Sequence, residues 1–178
     1  MLVLASASPQ RAAILTQLGV EFTVQAADVP EVASGDAGAL VEQNALLKAR
    51  AVPGARVLGS DTAVALGNDV LGKPGDDAEA REFLRRLSGT DHAVWSAVAL
   101  IEDGHERTAV DCAEVTFRPL GEQEIDWYVG TGEWRGRAGG YAIQGRGAAL
   151  VERVQGDYNC VVGLPVAALV ALAPDLIG

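Results

Sequence analysis

Five charged residues stand where a charge is costly or unexpected. Asp61 follows the apolar run Val57-Leu58-Gly59 through Ser60, and a bare carboxylate so close to a buried element needs a metal, a cation or water beside it. Glu31 is a second carboxylate, in the loop Asp28 to Gly38. Lys48 lies beside an apolar helical face, and Lys73 stands in the glycine-flanked loop Gly72-Lys73-Pro74-Gly75. Arg11 falls in the first turn of a helix, where the dipole disfavours a cation unless an anion is to be held. Two carboxylates and three cations suit phosphoanhydride hydrolysis. The carboxylates, Glu31 and Asp61, hold a divalent metal and orient or deprotonate water, while the cations offset charge on phosphate oxygens. Taken singly, each residue reads better as a solvated or salt-bridged surface charge.

The elements that position them follow from apolar spacing and turn residues. Leu2-Val3-Leu4-Ala5 is short enough for a strand and breaks at Ser6-Ala7-Ser8-Pro9. A helix follows with Ser8 as cap, Pro9 at its first position and Ile14, Leu15 and Leu18 on one face. Strand, small polar loop and helix N-terminus together read as a phosphate site, or more plainly as a capped helix after an edge strand with Arg11 solvated. The next expected elements are a strand over 22–26 and a helix over 39–52, with Leu40, Leu47 and Ala51 on one face and Lys48 beside them. Val57-Leu58-Gly59 reads as a short strand ending at Asp61-Thr62, followed by a hairpin turning at Gly67-Asn68-Asp69. Asp76 and Asp77 cap a helix to Leu87, with Phe83, Leu84 and Leu87 inward. Two β-rich runs, His92 to Glu102 and Arg107 to Phe117, meet at Asp103-Gly104, a strong hairpin signal. A helix over 122–129, a mobile glycine-rich loop over 130–140, a strand over 148–154 and a last helix over 166–172 complete the chain. Helices interleave with strands while the central hairpins are antiparallel, so the fold class is α/β with a mixed sheet.

Composition narrows the function. The 178 residues suit one domain, 1–178, or two lobes sharing one core. Lys and Arg number 14 against 24 Asp and Glu, a formal net charge of -10, which argues against a nucleic-acid or anionic-membrane binder. A small phosphorylated ligand needs only a local positive cluster. Cys112 and Cys160 lack CxxC spacing and read as buried free thiols. No charged leader precedes an apolar stretch and no run reaches membrane-spanning length, so a cytoplasmic protein is expected.

Other residues invite chemistry less strongly. His92 and His105 have no serine or cysteine motif beside them; His92 reads as a structural hydrogen-bonding residue and His105 as exposed. Trp134 and Arg137 could cover a bound base, and the Gln144 amide could read a base edge. Apolar surface near Trp127 and Tyr128 would suit a homodimer interface.

Together these pieces resemble the Maf family of nucleoside triphosphate pyrophosphatases. The matching stretches are LVLASASPQR, Lys48 in NALLKARA, VLGSDTAVAL around Asp61, LGKPGDDAEAREFLRRLSGTDHAV, AGGYAIQGRGAALVERVQGDY and VVGLP, in order over nearly the whole chain. The resemblance implies a fold like the inosine triphosphate pyrophosphatases: an elongated mixed sheet with flanking helices and two lobes around a cleft. It also implies hydrolysis between the α and β phosphates of a nucleotide with a divalent cation, Mg²⁺ or Mn²⁺. Family roles fall on Asp61 as proton acceptor for the attacking water and on Glu31 as metal or water ligand. Ser8, Arg11, Lys48 and Lys73 fall on phosphate-binding positions.

One departure stands out. The family's SxSPRR carries two arginines, and Gln10 replaces the first here. That position is associated with substrate choice, together with those of Thr62 and Gln144. Thr62 and Gln144 place the chain nearer the dTTP/UTP branch, while Gln10 removes a positive charge and a bidentate donor. A different class of function would be a nucleotide-binding regulator of cell division and septum formation with little turnover; a third would be a phosphatase releasing orthophosphate. The Asp61, Lys48 and Lys73 set favours the enzyme.

Overall fold

A computed structural model describes residues 1–177; Gly178, the end of the expected domain, lies outside the described residues. In chain order the elements are β1 (Leu2–Leu4), α1 (Pro9–Gln17), β2 (Phe22–Val24), α2 (Ala37–Arg50), β3 (Arg56–Leu66), β4 (Asp69–Leu71), α3 (Asp77–Leu87), β5 (Asp91–Glu102), β6 (His105–Phe117), α4 (Glu122–Gly130), β7 (Val151–Gln155), α5 (Tyr158–Val162) and α6 (Val166–Leu172). The strands form one sheet in the order β2-β1-β3-β5-β6-β7, with β4 folded back on β3. β1 pairs in parallel with both β2 and β3, and α1 and α2 supply the crossovers. From β3 through β5, β6 and β7 the pairing is antiparallel. The mixed sheet expected from the alternation of helices and hairpins is therefore present. Its longest hairpin turns at Asp103 and Gly104, both at positive φ, as a two-residue type I′ turn requires.

Four differences from the sequence reading shape the site. β3 does not stop at Gly59. It runs eleven residues to Leu66, so Asp61 and Thr62 sit within the sheet, opposite Ala97 and Ser96 of β5. Pairing with a long neighbour overrides the polar interruption in the local sequence.

The buried face of α2 is Leu40, Val41, Asn44, Ala45, Lys48 and Ala49; Leu47 is only half-buried and Ala51 is exposed. The helix is rotated from the leucine-based expectation because it lies almost against the sheet. A Cβ on Gly59 would collide with the Ala45 carbonyl and crowd Ala49, so small residues must face β3 there, and Leu46 and Leu47 move to the flanks. That approach is what brings Lys48 to Asp61.

The glycine-rich 130–140 segment is not a free loop. Trp134 is buried, 3% exposed, and its indole N–H donates to the Val129 carbonyl at 3.2 Å. The Gly139 N–H donates to the Gly72 carbonyl at 3.0 Å, and at φ 68 Gly139 leaves no room for a Cβ beside Val64. Trp134 belongs to the core and cannot cover a base.

The last stretch also differs. Residues Arg146–Leu150 form a 3₁₀ turn, β7 starts at Val151, and the short α5 went unforeseen. Tyr128 is fully buried, which leaves Trp127 alone at the surface. Of the two thiols, Cys160 is buried and Cys112 exposed.

The core forms on both sides of the sheet. Leu4, Leu15, Leu58 and Leu164 gather under α1 and α6. Val41, Ala45, Ala97 and Ala99 gather under α2. Leu84, Phe117, Ile125 and Tyr128 join α3 and α4 at the far end. Among the described residues no helix is long and apolar enough to cross a membrane.

Candidate active site

Lys48 is the centre of the site. Its Nζ lies 2.6 Å from Asp61 Oδ1 and 2.7 Å from Glu31 Oε1. The Lys48 and Asp61 side chains are each about nine-tenths buried, while Glu31 reaches in from its loop. Lys73 Nζ stands 3.9 Å from the other Glu31 oxygen. Burial opposes ionisation of Glu31 and is the largest single influence on it. The Lys48 hydrogen bond and charge, with Lys73 and Arg11, outweigh burial together and hold Glu31 below the usual carboxylate range. A buried ion pair of this kind adds little to stability, because desolvation cancels most of the attraction.

The sequence reading passed over Asn44. It sits one turn before Lys48 on the same face of α2, and its Nδ2 donates to Asp61 Oδ2 at 2.9 Å. The same amide pairs with both backbone groups of Val32, the residue after Glu31. The signal was present as a polar residue at i−4 from Lys48 on an otherwise small, apolar face.

Arg11 is neither solvated nor a free cation. The residue is 8% exposed, and its guanidinium donates to the Gly163 carbonyl at 2.8 Å, to Ser6 Oγ at 3.0 Å and to Thr62 Oγ1 at 3.1 Å. Burial lowers its pKa against the opposing charges of Asp61 and Glu31, and an arginine stays protonated all the same. Three of its five N–H donors are used on protein atoms, so it also braces the wall it lines. Ser96 donates to the Cys160 carbonyl at 2.8 Å, so in its 2.8 Å contact with Thr62 the threonine is the donor. Thr62 Oγ1 is thus free to accept from Arg11. Gly163 and Ser96, neither of them singled out in sequence, complete this brace from distant parts of the chain.

Ser8 occupies the N-cap position of α1 but makes no cap bond. Its hydroxyl donates instead to Gln10 Oε1 at 2.7 Å. The first-turn N–H groups of α1 are therefore left without a side-chain cap and remain available to an anion.

These residues surround one cleft, open to solvent on one side. Ser8, Gln10 and Arg11 come from the first loop and α1, Asp61 and Thr62 from β3, and Lys48 from α2. Lys73, from the loop after β4, and Arg137 and Gln144, from the second half of the chain, also line it. Glu31 and Asn44 face an adjoining recess that shares Asp61, Thr62 and Lys73 with the cleft. Every sequence-derived site residue thus reaches the cleft or its recess, and Trp134 does not.

A mixed α/β sheet with a charged cleft built on β3, α1 and α2 defines the class of protein. The family model for Maf-like protein matches residues 1–176, and the chain belongs to the Maf family. A protein of Anaeromyxobacter dehalogenans strain 2CP-1, named dTTP/UTP pyrophosphatase, is 52% identical over 96% of this chain and 91% of its own. Proteins of the same name from Myxococcus xanthus and Thermus thermophilus are each 49% identical. They cover 97% and 96% of this chain and 90% and 92% of their own. Among solved structures, the Staphylococcus aureus Ham1 protein matches at a TM-score of 0.47 and 16% identity over 65% of this chain and 71% of that one, too distant to carry an argument.

Proposed function

We propose that this protein, acting as one Maf-like domain, is a pyrophosphatase for dTTP and UTP that releases the nucleoside monophosphate and pyrophosphate. The observation that carries the reading is Lys48 held between Asp61 and Glu31 at the floor of the cleft. The names of relatives about half identical over nearly the whole chain support it. In this reading Asp61 accepts the proton of a water attacking the α-phosphorus, a role supported by the second lone pair that each of its oxygens keeps beyond its present bond. As the bond to the β-phosphate breaks, the leaving pyrophosphate gains negative charge. Lys48, Lys73 and the uncapped end of α1 lie where that charge can be offset.

Glu31 and Asp61 fit a divalent cation. Among the described residues no third His, Cys, Asp or Glu gathers with them. Two carboxylates are too few for a closed protein cage but suit Mg²⁺ or Mn²⁺, which draws its remaining oxygens from substrate phosphates and water. Bound there, the ion would neutralise charge on the phosphate oxygens. Thr62, Gln144 and Gln10 face the same cleft and form the base-selecting set of this reading. The reaction belongs to the cytoplasm, where nucleoside triphosphates are pooled.

The test is a panel of nucleoside triphosphates with Mg²⁺ or Mn²⁺, following pyrophosphate. Turnover of dTTP and UTP ahead of purine nucleotides is expected. Binding without product across the panel would replace this reading with that of a nucleotide-binding regulator. Repeating the panel with Gln10→Arg tests the departure from the family pattern. A changed ranking makes Gln10 a specificity residue, whereas the same ranking with a lower KM makes it a plain charge effect.

A further inference from the structure

We infer that Asn44 is a positioning residue that locks the two catalytic carboxylates into one arrangement, an inference that rests on the pyrophosphatase reading. Asn44 is 1% exposed and its amide is fully committed. Oδ1 accepts the Val32 N–H at 2.8 Å. One hydrogen of Nδ2 goes to the Val32 carbonyl at 3.0 Å and the other to Asp61 Oδ2 at 2.9 Å. The backbone N–H of Val32 can only donate, so it dictates which end of the amide is oxygen. The amide cannot flip, and its second N–H must point at Asp61.

Two consequences follow. Asp61 is gripped at both oxygens, Oδ1 by Lys48 and Oδ2 by Asn44, so its carboxylate cannot rotate away from the cleft. The loop that carries Glu31 is also tied down at one point. Among the described residues of 26–35, Val32 is the one whose backbone hydrogen-bonds to the rest of the protein. Glu31 precedes it directly and is brought to Lys48 by that tether. Neither close relative in size would serve. Aspartate would set a carboxylate against Asp61 and the Val32 carbonyl, and leucine would leave the partly buried Val32 N–H and C=O without their partner.

The experiment compares Asn44→Ala and Asn44→Asp with the wild type, using Asn44→Ser should either fail to fold. Groups that orient metal and catalytic ligands typically cost about 10- to 100-fold when removed. A fall of that size in kcat for dTTP is expected, with KM little changed and the Mg²⁺ concentration for half-activity raised. Hydrogen exchange at the Val32 amide should speed up in Asn44→Ala. In a Glu31→Gln background the same substitution should cost less than it does alone, because part of its action passes through Glu31. An unchanged kcat would overturn the assignment, and so would a loss that follows melting temperature and adds independently to Glu31→Gln. If the wild type releases no pyrophosphate from any nucleotide, the pyrophosphatase reading fails on its own. The tether is then judged by exchange at Val32: protection that survives Asn44→Ala overturns it.

Discussion

Two polar clusters are buried along β5 and its neighbours, and they differ in what faces them. Near the start of β5, His92 Nε2 meets the Tyr141 hydroxyl at 2.8 Å. Phe117 stands edge-on to both rings, at 5.0 Å from His92 and 4.8 Å from Tyr141. Burial pushes His92 down to about 4, against a small opposing pull from Asp91, and pushes the Tyr141 hydroxyl above its ordinary range. That cluster is neutral and packed by aromatic rings, with Tyr141 alone of the three reaching the wall of the cleft. The cluster around Asp61 sets three cations against two carboxylates and opens on a cleft. Neutral polar groups packed by rings serve the fold. Charges held out of water, where apolar residues would be as stable or more so, point to chemistry that needs them.

The sharpest way to break this contrast is Asp61→Asn. Turnover should fall by about 10³-fold, the scale of a lost general base, with an unchanged circular dichroism spectrum. Lys48→Met should come next. It removes the cation between two carboxylates, and stranding a buried partner costs about 3 kcal/mol or more, readable by urea denaturation together with a loss of kcat.

At the neutral cluster the expected effect is on pH dependence, not on turnover. The folded-state pKa of His92 lies near 4, below the ordinary 6.5, so the unfolded chain binds the proton more readily. Stability is full above pH 6.5 and declines as pH falls toward 4, by roughly 3 kcal/mol for that interval. His92→Phe should remove this slope while leaving kcat intact. Glu31, also held low, adds a loss only at more acid pH. The smallest effect is expected at the surface. Arg50 and Arg85 make short ion pairs with Glu106 and Glu122 in full solvent, and alanine at either should leave melting temperature and turnover unchanged within error.

How much of this could be read from the sequence depends on how far apart the partners lie. Glu31, Lys48, Asp61 and Lys73 were legible as charges set against apolar or glycine-rich surroundings, and the β5–β6 hairpin as Asp103-Gly104 between two β runs. Arg11 was legible as an odd cation at a helix start, but not its bond to Gly163, which lies 152 residues away. Asn44 was hidden because its meaning lies in two partners, Val32 and Asp61, that only the fold brings to it. The rotation of α2 was hidden for a similar reason: periodicity favoured its leucines, whereas the close approach at Gly59 demanded alanines. Glycines in the 130–140 segment suggested freedom. They serve instead to let the backbone tuck beneath Val64 while Trp134 anchors it.

The central claim is that the Asp61 cluster directs water to the α-phosphorus. Phosphorus NMR of wild-type protein turning over dTTP with Mg²⁺ tests it most directly. The prediction is dTMP and pyrophosphate in equal amounts, with no orthophosphate. Orthophosphate appearing with dTDP would contradict it.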